Sequence, residues 1–227
     1  MAIPSPPAGL KLNVGCGATP TPGFVNLDNS LTARLAAVPF LGEALAALPL
    51  MSATHRAFLS RVRRDGIVWA DARSLPFPDG TAALVYSSHV IEHLTRDEVA
   101  AFLHETLRVL RPGGWLRAAV PDLRKLAREY VGGLFDANRF VELTYLAPER
   151  PRGAMEWLKL AVAGRRHHLW MYDGDSLVRL LGELGFCDVV ELPAGRTSIP
   201  DTGALNLAER AGESVYVEGR KPGMAAP

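Results

Sequence analysis

A short apolar run that ends in two glycines one residue apart, Leu12-Asn13-Val14-Gly15-Cys16-Gly17, constrains this chain more than any other stretch. Glycine has no Cβ, so the backbone can turn sharply after a buried strand and lie close against a ligand. Gly23-Phe24-Val25-Asn26-Leu27-Asp28 follows as a second short strand with an acidic tip. A carboxylate beside a glycine bend is placed to accept hydrogen bonds from ribose hydroxyls, so the pair reads as a nucleoside site; the competing reading is a tight turn and a solvated Asp. Only eleven positions separate Gly17 from Asp28, and Pro20 and Pro22 fall among them. That spacing leaves no room for a helix between the strands. Without a helix N-terminus to hold phosphate, a pyrophosphate-bearing dinucleotide is disfavoured, and a nucleoside without phosphates is not.

Beyond the bend, strand and helix patterns alternate. Residues 30–65 carry Leu31, Leu35, Val38, Leu41, Leu45 and Leu48 at helical spacing, interrupted by Pro39 and Pro49, and read as an insertion of short helices. Its basic run, Arg56, Arg61, Arg63 and Arg64, is either a solvated helix face or part of a lid over the ligand. Strands are expected at 67–70, 83–88 and 115–120, with a helix over 90–110 stopped by Arg111-Pro112-Gly113-Gly114. Residues 123–166 form a second helical insertion rich in arginine, broken at Gly132-Gly133 and Ala147-Pro148. A helix capped by Asp173 or Asp175, a strand at 186–192, a polar excursion over 194–211 and a last strand at 214–219 complete the pattern. Strand, helix and strand at this spacing describe parallel βαβ units. Residues 1–9 and 221–227 read as tails.

Composition narrows the functional classes. With 25 Lys and Arg against 24 Asp and Glu, the net charge of +1 gives no general affinity for nucleic acid or acidic membranes. Two distant cysteines, Cys16 and Cys187, suit a reducing compartment rather than a disulfide scaffold. Residues 1–9 lack the features of a secretion signal, and the apolar run at 38–51 is too short to span a bilayer, so a cytoplasmic location is expected.

Taken together, the motifs resemble those of class I S-adenosylmethionine-dependent methyltransferases of the small, widespread type. The resemblance rests on Leu12-Asn13-Val14-Gly15-Cys16-Gly17, Asp28, Asp71-Ala72 with Leu75-Pro76-Phe77-Pro78-Asp79, Ser88-His89-Val90-Ile91-Glu92-His93-Leu94, and Leu107-Arg108-Val109-Leu110-Arg111-Pro112-Gly113-Gly114. It covers about residues 10–122 and resumes at 170–192 and 214–219. It implies an α/β, Rossmann-like fold over residues 10–220, a seven-stranded, mostly parallel sheet with the last strand antiparallel, plus the two helical insertions. It implies S-adenosylmethionine as cofactor, with Gly15, Cys16 and Gly17 against its methionine part and Asp28 on the ribose. Asn29 would lie beside the adenine, Asp71 would accept from its amino group, the Ala72 amide would face a ring nitrogen, and Ser88 would line the amino-acid end. Asn13 stands where many relatives are acidic, and Thr19 replaces a third glycine.

The histidines bear on catalysis. His89, Glu92 and His93 read as His-x-x-Glu-His, which on a helix would share one face. Three readings stand: an inverted zinc-protease motif, a metal site as in metal-assisted O-methyltransferases with His168 or His167 as a later ligand, or plain packing with His93 beneath the cofactor. Three imidazoles and a carboxylate would suit zinc, iron or manganese better than magnesium; the packing reading is the simpler one, and Glu92 would equally serve as a solvated helix residue. His89 and His168 are the candidate catalytic residues. Aromatic and basic side chains in Arg165-Arg166-His167-His168-Leu169-Trp170-Met171-Tyr172 would line an acceptor pocket or simply pack. The implied reaction is in-line methyl transfer to a small-molecule or glycan acceptor, at oxygen, with no nucleic-acid partner. The alternatives are a non-catalytic cofactor-binding scaffold or regulatory subunit, and non-methylating chemistry on the same fold.

Overall fold

Seven strands form one sheet in the order β3-β2-β1-β4-β5-β7-β6. The computed structural model describes residues 9–36, 38, 53–146, 153 and 167–223. Its strands are β1 (Leu10–Val14), β2 (Val25–Asp28), β3 (Val68–Trp69), β4 (Ala82–Ser88), β5 (Leu110–Pro121), β6 (Cys187–Leu192) and β7 (Ser214–Arg220). The first five run parallel, and β7 lies antiparallel to both β5 and β6. This is the Rossmann-like sheet that the sequence leads one to expect. The strand order reverses between β1 and β4, and in open α/β sheets ligands bind at the carboxyl ends of strands flanking such a reversal.

Alternation along the strands produces two unlike faces. Leu12, Val14, Leu27, Val85, Leu116, Ala118 and Val217 join a large core on one side. There α3 (Arg96–Val109) contributes Val99, Phe102, Leu103 and Val109, and α6 (Gly174–Glu183) contributes Leu177 and Leu181. On the other side Leu84 and Tyr86 pack with Phe24, Ile199 and Leu205. No helix intervenes between β1 and β2, as the prolines require, and the polar excursion over 194–211 covers that second face instead.

A buried ion pair anchors the excursion. Arg117 of β5 and Glu218 of β7 are fully buried, with Nη1 and Oε1 2.5 Å apart. Arg117 also donates to the carbonyls of Arg196 at 3.0 Å and Leu207 at 2.8 Å. Glu218 accepts from the Thr197 hydroxyl and the Ser198 amide, each at 2.7 Å. Both charges sit mid-strand among apolar neighbours, a signal the sequence carried and the strand assignments passed over.

The helix expected over 90–110 divides in two. Ile91–His93 is a single 3₁₀ turn, Leu94 is extended, and α3 begins after Thr95. The cause is a capping box: the Thr95 hydroxyl accepts from the Glu98 amide at 3.3 Å, and the Glu98 carboxylate accepts from the Thr95 amide at 2.9 Å. At the far end α3 gives way directly to β5 at Leu110, so Gly113 and Gly114 lie inside the strand. Of the first insertion, α1 (Leu31–Ala36) and α2 (Ala53–Arg64) are described, and of the second, α4 (Leu123–Val131) and α5 (Ala137–Thr144). Leu41, Leu45, Leu48, Arg150, Arg152, Arg165, Arg166 and most of both tails lie outside the described residues. Asp173 caps α6 by accepting from the Ser176 amide at 2.9 Å. Among the described residues no helix is long and apolar enough to cross a membrane.

Candidate functional site

The bend after β1 is built on β2. The amides of Gly15 and Cys16 both donate to the Leu27 carbonyl, at 2.8 and 2.9 Å, which forces the chain to turn. Gly15 takes φ +74°, and a Cβ there would stand 2.2 Å from Cγ2 of Val90, far inside contact distance. Gly17 takes φ +49° with open space where a Cβ would project. Its amide donates to Asp28 Oδ2 at 3.1 Å, while Asp28 Oδ1 accepts from the Ser30 amide at 2.9 Å. A carboxylate offers about four acceptor sites, so roughly two remain for ligand hydroxyls. The bend and the carboxylate are therefore one hydrogen-bonded unit.

Asn13 supports that unit from below. Its Nδ2 donates to the Thr19 carbonyl at 3.2 Å, Thr21 Oγ1 at 3.2 Å and Asn26 Oδ1 at 3.1 Å, and the residue is buried. Asn26 in turn accepts from the Thr21 amide at 2.7 Å. The amide nitrogen of Asn13 is thus spent on shaping the loop, and Thr21 and Asn26 are supports that the sequence pattern did not single out. Cys16 turns its side chain away from the bend, into a small cluster with Ala33, Val62 and Ile67. Burial pushes its thiol up to about 12. From above, the Arg61 guanidinium of α2 donates to the Ala18 carbonyl, so one member of the basic run closes onto the glycine loop.

At the residues expected to face the adenine, the structure departs from the simplest expectation. Asp71 is engaged by Arg73, which donates from Nη2 at 2.7 Å, from Nε at 2.9 Å and from its backbone amide at 2.9 Å. Hydrogen bonding from Arg73 holds the Asp71 carboxyl below the usual range, and little acceptor capacity is left for another donor. Ala72 is buried beside it. Asn29 is exposed, and its carbonyl accepts from the Trp69 indole at 3.3 Å. Ser88 ends β4, in register with Ala119.

The histidine motif is gathered by the 3₁₀ turn rather than by a helix face. His89 adopts φ +53° at the tip of β4, with Nε2 2.8 Å from Ser214 Oγ and Nδ1 3.2 Å from Glu92 Oε1. Both ring nitrogens of this candidate base already face protein groups. Glu92 is fully buried, which excludes the solvated reading. Its backbone carbonyl accepts from the amides of Leu169 at 2.6 Å and Trp170 at 3.2 Å, clamping residues 167–172 onto the turn. That clamp brings His168 to His93, their rings edge-on with centroids 5.0 Å apart. Burial depresses the pKa of His168. Trp170 is exposed beneath the Arg96 guanidinium, whereas Tyr172 is buried. His104 is exposed on α3, and the side chain of His55 lies outside the described residues.

The sequence model of the methyltransferase-domain family matches residues 12–118, which run from β1 through the bend, the 3₁₀ turn and α3 into β5. Residues 12–118 thus match a methyltransferase domain. Its sequence is 31% identical over 134 residues to a ubiquinone/menaquinone biosynthesis C-methyltransferase of Xanthomonas campestris pv. campestris, across 58% of this chain and 50% of that protein. The protein of the same name from Azotobacter vinelandii is 31% identical over 119 residues, 52% of this chain and 44% of its own length. The chain thus spans about half the length of the curated relatives it matches. In fold, the methyltransferase domain and the rest of the chain resemble a chain from the complex between the Trm112 methyltransferase activator and a methyltransferase of Haloferax volcanii. There the TM-score is 0.50 at 15% identity, over 99% of this chain and 86% of the other.

Proposed function

We propose that the protein transfers a methyl group from S-adenosylmethionine to a small-molecule acceptor, at a hydroxyl oxygen. The observation that carries the reading is the coupling of the glycine bend to Asp28 at the point where the strand order reverses. The donor set fits the nucleoside: an acidic side chain with spare acceptor sites, and a Gly17 whose outer side is open. When bound, the cofactor supplies an already activated sulfonium methyl. Asp28 would hold the ribose hydroxyls, Gly15 and Gly17 would allow close backbone approach, and the Ala72 amide would face the adenine. The chain's remaining task is to align the acceptor and exclude water, and such positioning is worth about 7–11 kcal/mol in favourable intramolecular cases. Removal of the acceptor's proton would fall to His89, which would have to release the Ser214 hydroxyl from its Nε2 to act, a contribution of about 10²–10⁴-fold.

A second reading places the methyl group on carbon. It is favoured by the printed activity of the relatives at 31% identity, which are named C-methyltransferases. An acceptor hydroxyl that loses its proton would then activate a neighbouring ring carbon. In either case the near-zero net charge supports an acceptor other than nucleic acid, and a cytoplasmic location and a single methyltransferase unit over residues 10–220 belong to the same proposal.

Calorimetric titration with S-adenosylhomocysteine tests the cofactor half. Wild-type protein should bind one equivalent, and Asp28→Asn should lose about 10- to 100-fold in affinity, the range for a hydrogen bond to a charged group. Absence of binding by folded protein would overturn the assignment. Incubation with labelled S-adenosylmethionine and a phenol panel, read by mass spectrometry and NMR, separates oxygen from carbon products.

A further inference from the structure

We infer that Glu92, His93 and His168 form a binding site for a divalent transition-metal ion, zinc, iron or manganese by donor type. The inference stands on side-chain geometry and does not require the methyl-transfer reading. One ligand-type atom from each residue lies within 4.8 Å of those of the other two. Bonds of about 2.0–2.2 Å hold donors around one ion no more than about 4.4 Å apart, so a group gathered within 4.8 Å needs only a small side-chain adjustment to close on one.

Two further observations point the same way. Glu92 is fully buried, yet neither carboxylate oxygen has a hydrogen-bond partner among the described residues. His89 Nδ1 stands 3.2 Å from Oε1 without hydrogen-bonding alignment. Burying an acceptor group with nothing to satisfy it costs roughly 1–3 kcal/mol, more for a charged group, so a native structure is expected to hold a partner there.

The histidines are also poised as ligands. His93 Nδ1 is 3.1 Å from the His167 carbonyl, and His168 Nδ1 is 2.8 Å from the Thr144 carbonyl. A carbonyl only accepts, so each Nδ1 carries the proton, and each Nε2 keeps its lone pair for a metal. This is the outer-shell arrangement by which proteins fix the tautomer of ligating histidines. Two imidazoles and one carboxylate suit zinc, iron or manganese, whereas magnesium and calcium prefer oxygen-only sets. Three protein ligands leave coordination positions open, and Val90 of the same turn packs beneath Gly15, so the site adjoins the glycine bend.

The test uses the untagged full-length chain, stripped with a chelator and dialysed. Calorimetry with Zn²⁺ and visible absorption with Co²⁺ should show one ion per chain. His93→Ala and His168→Ala should each weaken binding by about 100-fold or more, beyond the loss typical of a residue that only orients a ligand. His104→Ala, on the exposed face of α3, should leave it unchanged. Glu92→Gln keeps the buried volume and should likewise lose affinity if it folds; should it fail to fold, His168→Ala decides. Each variant is checked by circular dichroism and by S-adenosylhomocysteine binding. Folded protein that takes up no stoichiometric ion, or takes it up equally well after His168→Ala, overturns the inference. Loss of nucleoside binding with metal uptake intact would instead strike at the methyl-transfer reading.

Discussion

The guanidinium of Arg117 meets the carboxylate of Glu218 at 2.5 Å with neither side chain exposed, and their remaining hydrogen bonds go to the excursion over 194–211. Two charges in the middle of the sheet are thus what ties an irregular segment to a face that no helix covers among the described residues. Removing one partner leaves the other buried and unpaired. Glu218→Gln should therefore cost about 3–5 kcal/mol in urea unfolding. Replacing both with apolar residues of similar volume should cost less than the single change, because no charge is then stranded.

Gly15→Ala should damage the cofactor site more than Gly17→Ala. Both glycines have positive φ, a penalty of about 1–2 kcal/mol for a residue with a Cβ, but only the Gly15 Cβ would collide with Val90. Gly15→Ala should lower S-adenosylhomocysteine affinity at least about tenfold, while an additional Val90→Ala change should restore part of it. Equal losses at the two glycines would contradict the structure.

Asp173 gives the stability a specific acid limb. Hydrogen bonds from Ser176, with help from Arg124, hold its carboxyl down at about 2. A depressed folded pKa contributes stability that is complete above the ordinary carboxylate value and disappears as pH falls toward the folded one. Between pH 4 and pH 2 the wild type should lose this contribution and Asp173→Asn should not, so the two proteins should differ most at neutral pH and converge near pH 2; Asp173→Ala, which also removes the cap, should cost about 1 kcal/mol more than Asp173→Asn at neutral pH.

The two cysteines should differ in reactivity. Both thiols are raised, Cys16 by burial to about 12 and Cys187 by partial burial and the neighbouring Asp188 carboxylate, but only Cys187 is partly exposed, on β6, so access separates them. A disulfide reagent at neutral pH should label one thiol per folded chain, and a second only after denaturant is added. A Cys187→Ser variant should show no fast phase.

The local content of the fold was written plainly in the sequence. Glycine and proline punctuation placed the bend and ruled out a helix before Asp28, and period-two alternation marked the strands, because these signals act within a few residues. The Thr95–Glu98 capping box was legible too, yet apolar spacing alone carried the helix back through residues 90–94. What only the tertiary structure decided were relationships between distant segments: Asn13 spent on Thr21 and Asn26, Asp71 taken by Arg73, Cys16 turned into the α1–α2 cluster, and Arg117 paired with Glu218. The meeting of Glu92 and His93 with His168 belongs to the same class. It depends on the amides of Leu169 and Trp170 finding one carbonyl across the fold, and a hydrogen bond between segments so far apart leaves no periodicity in a sequence.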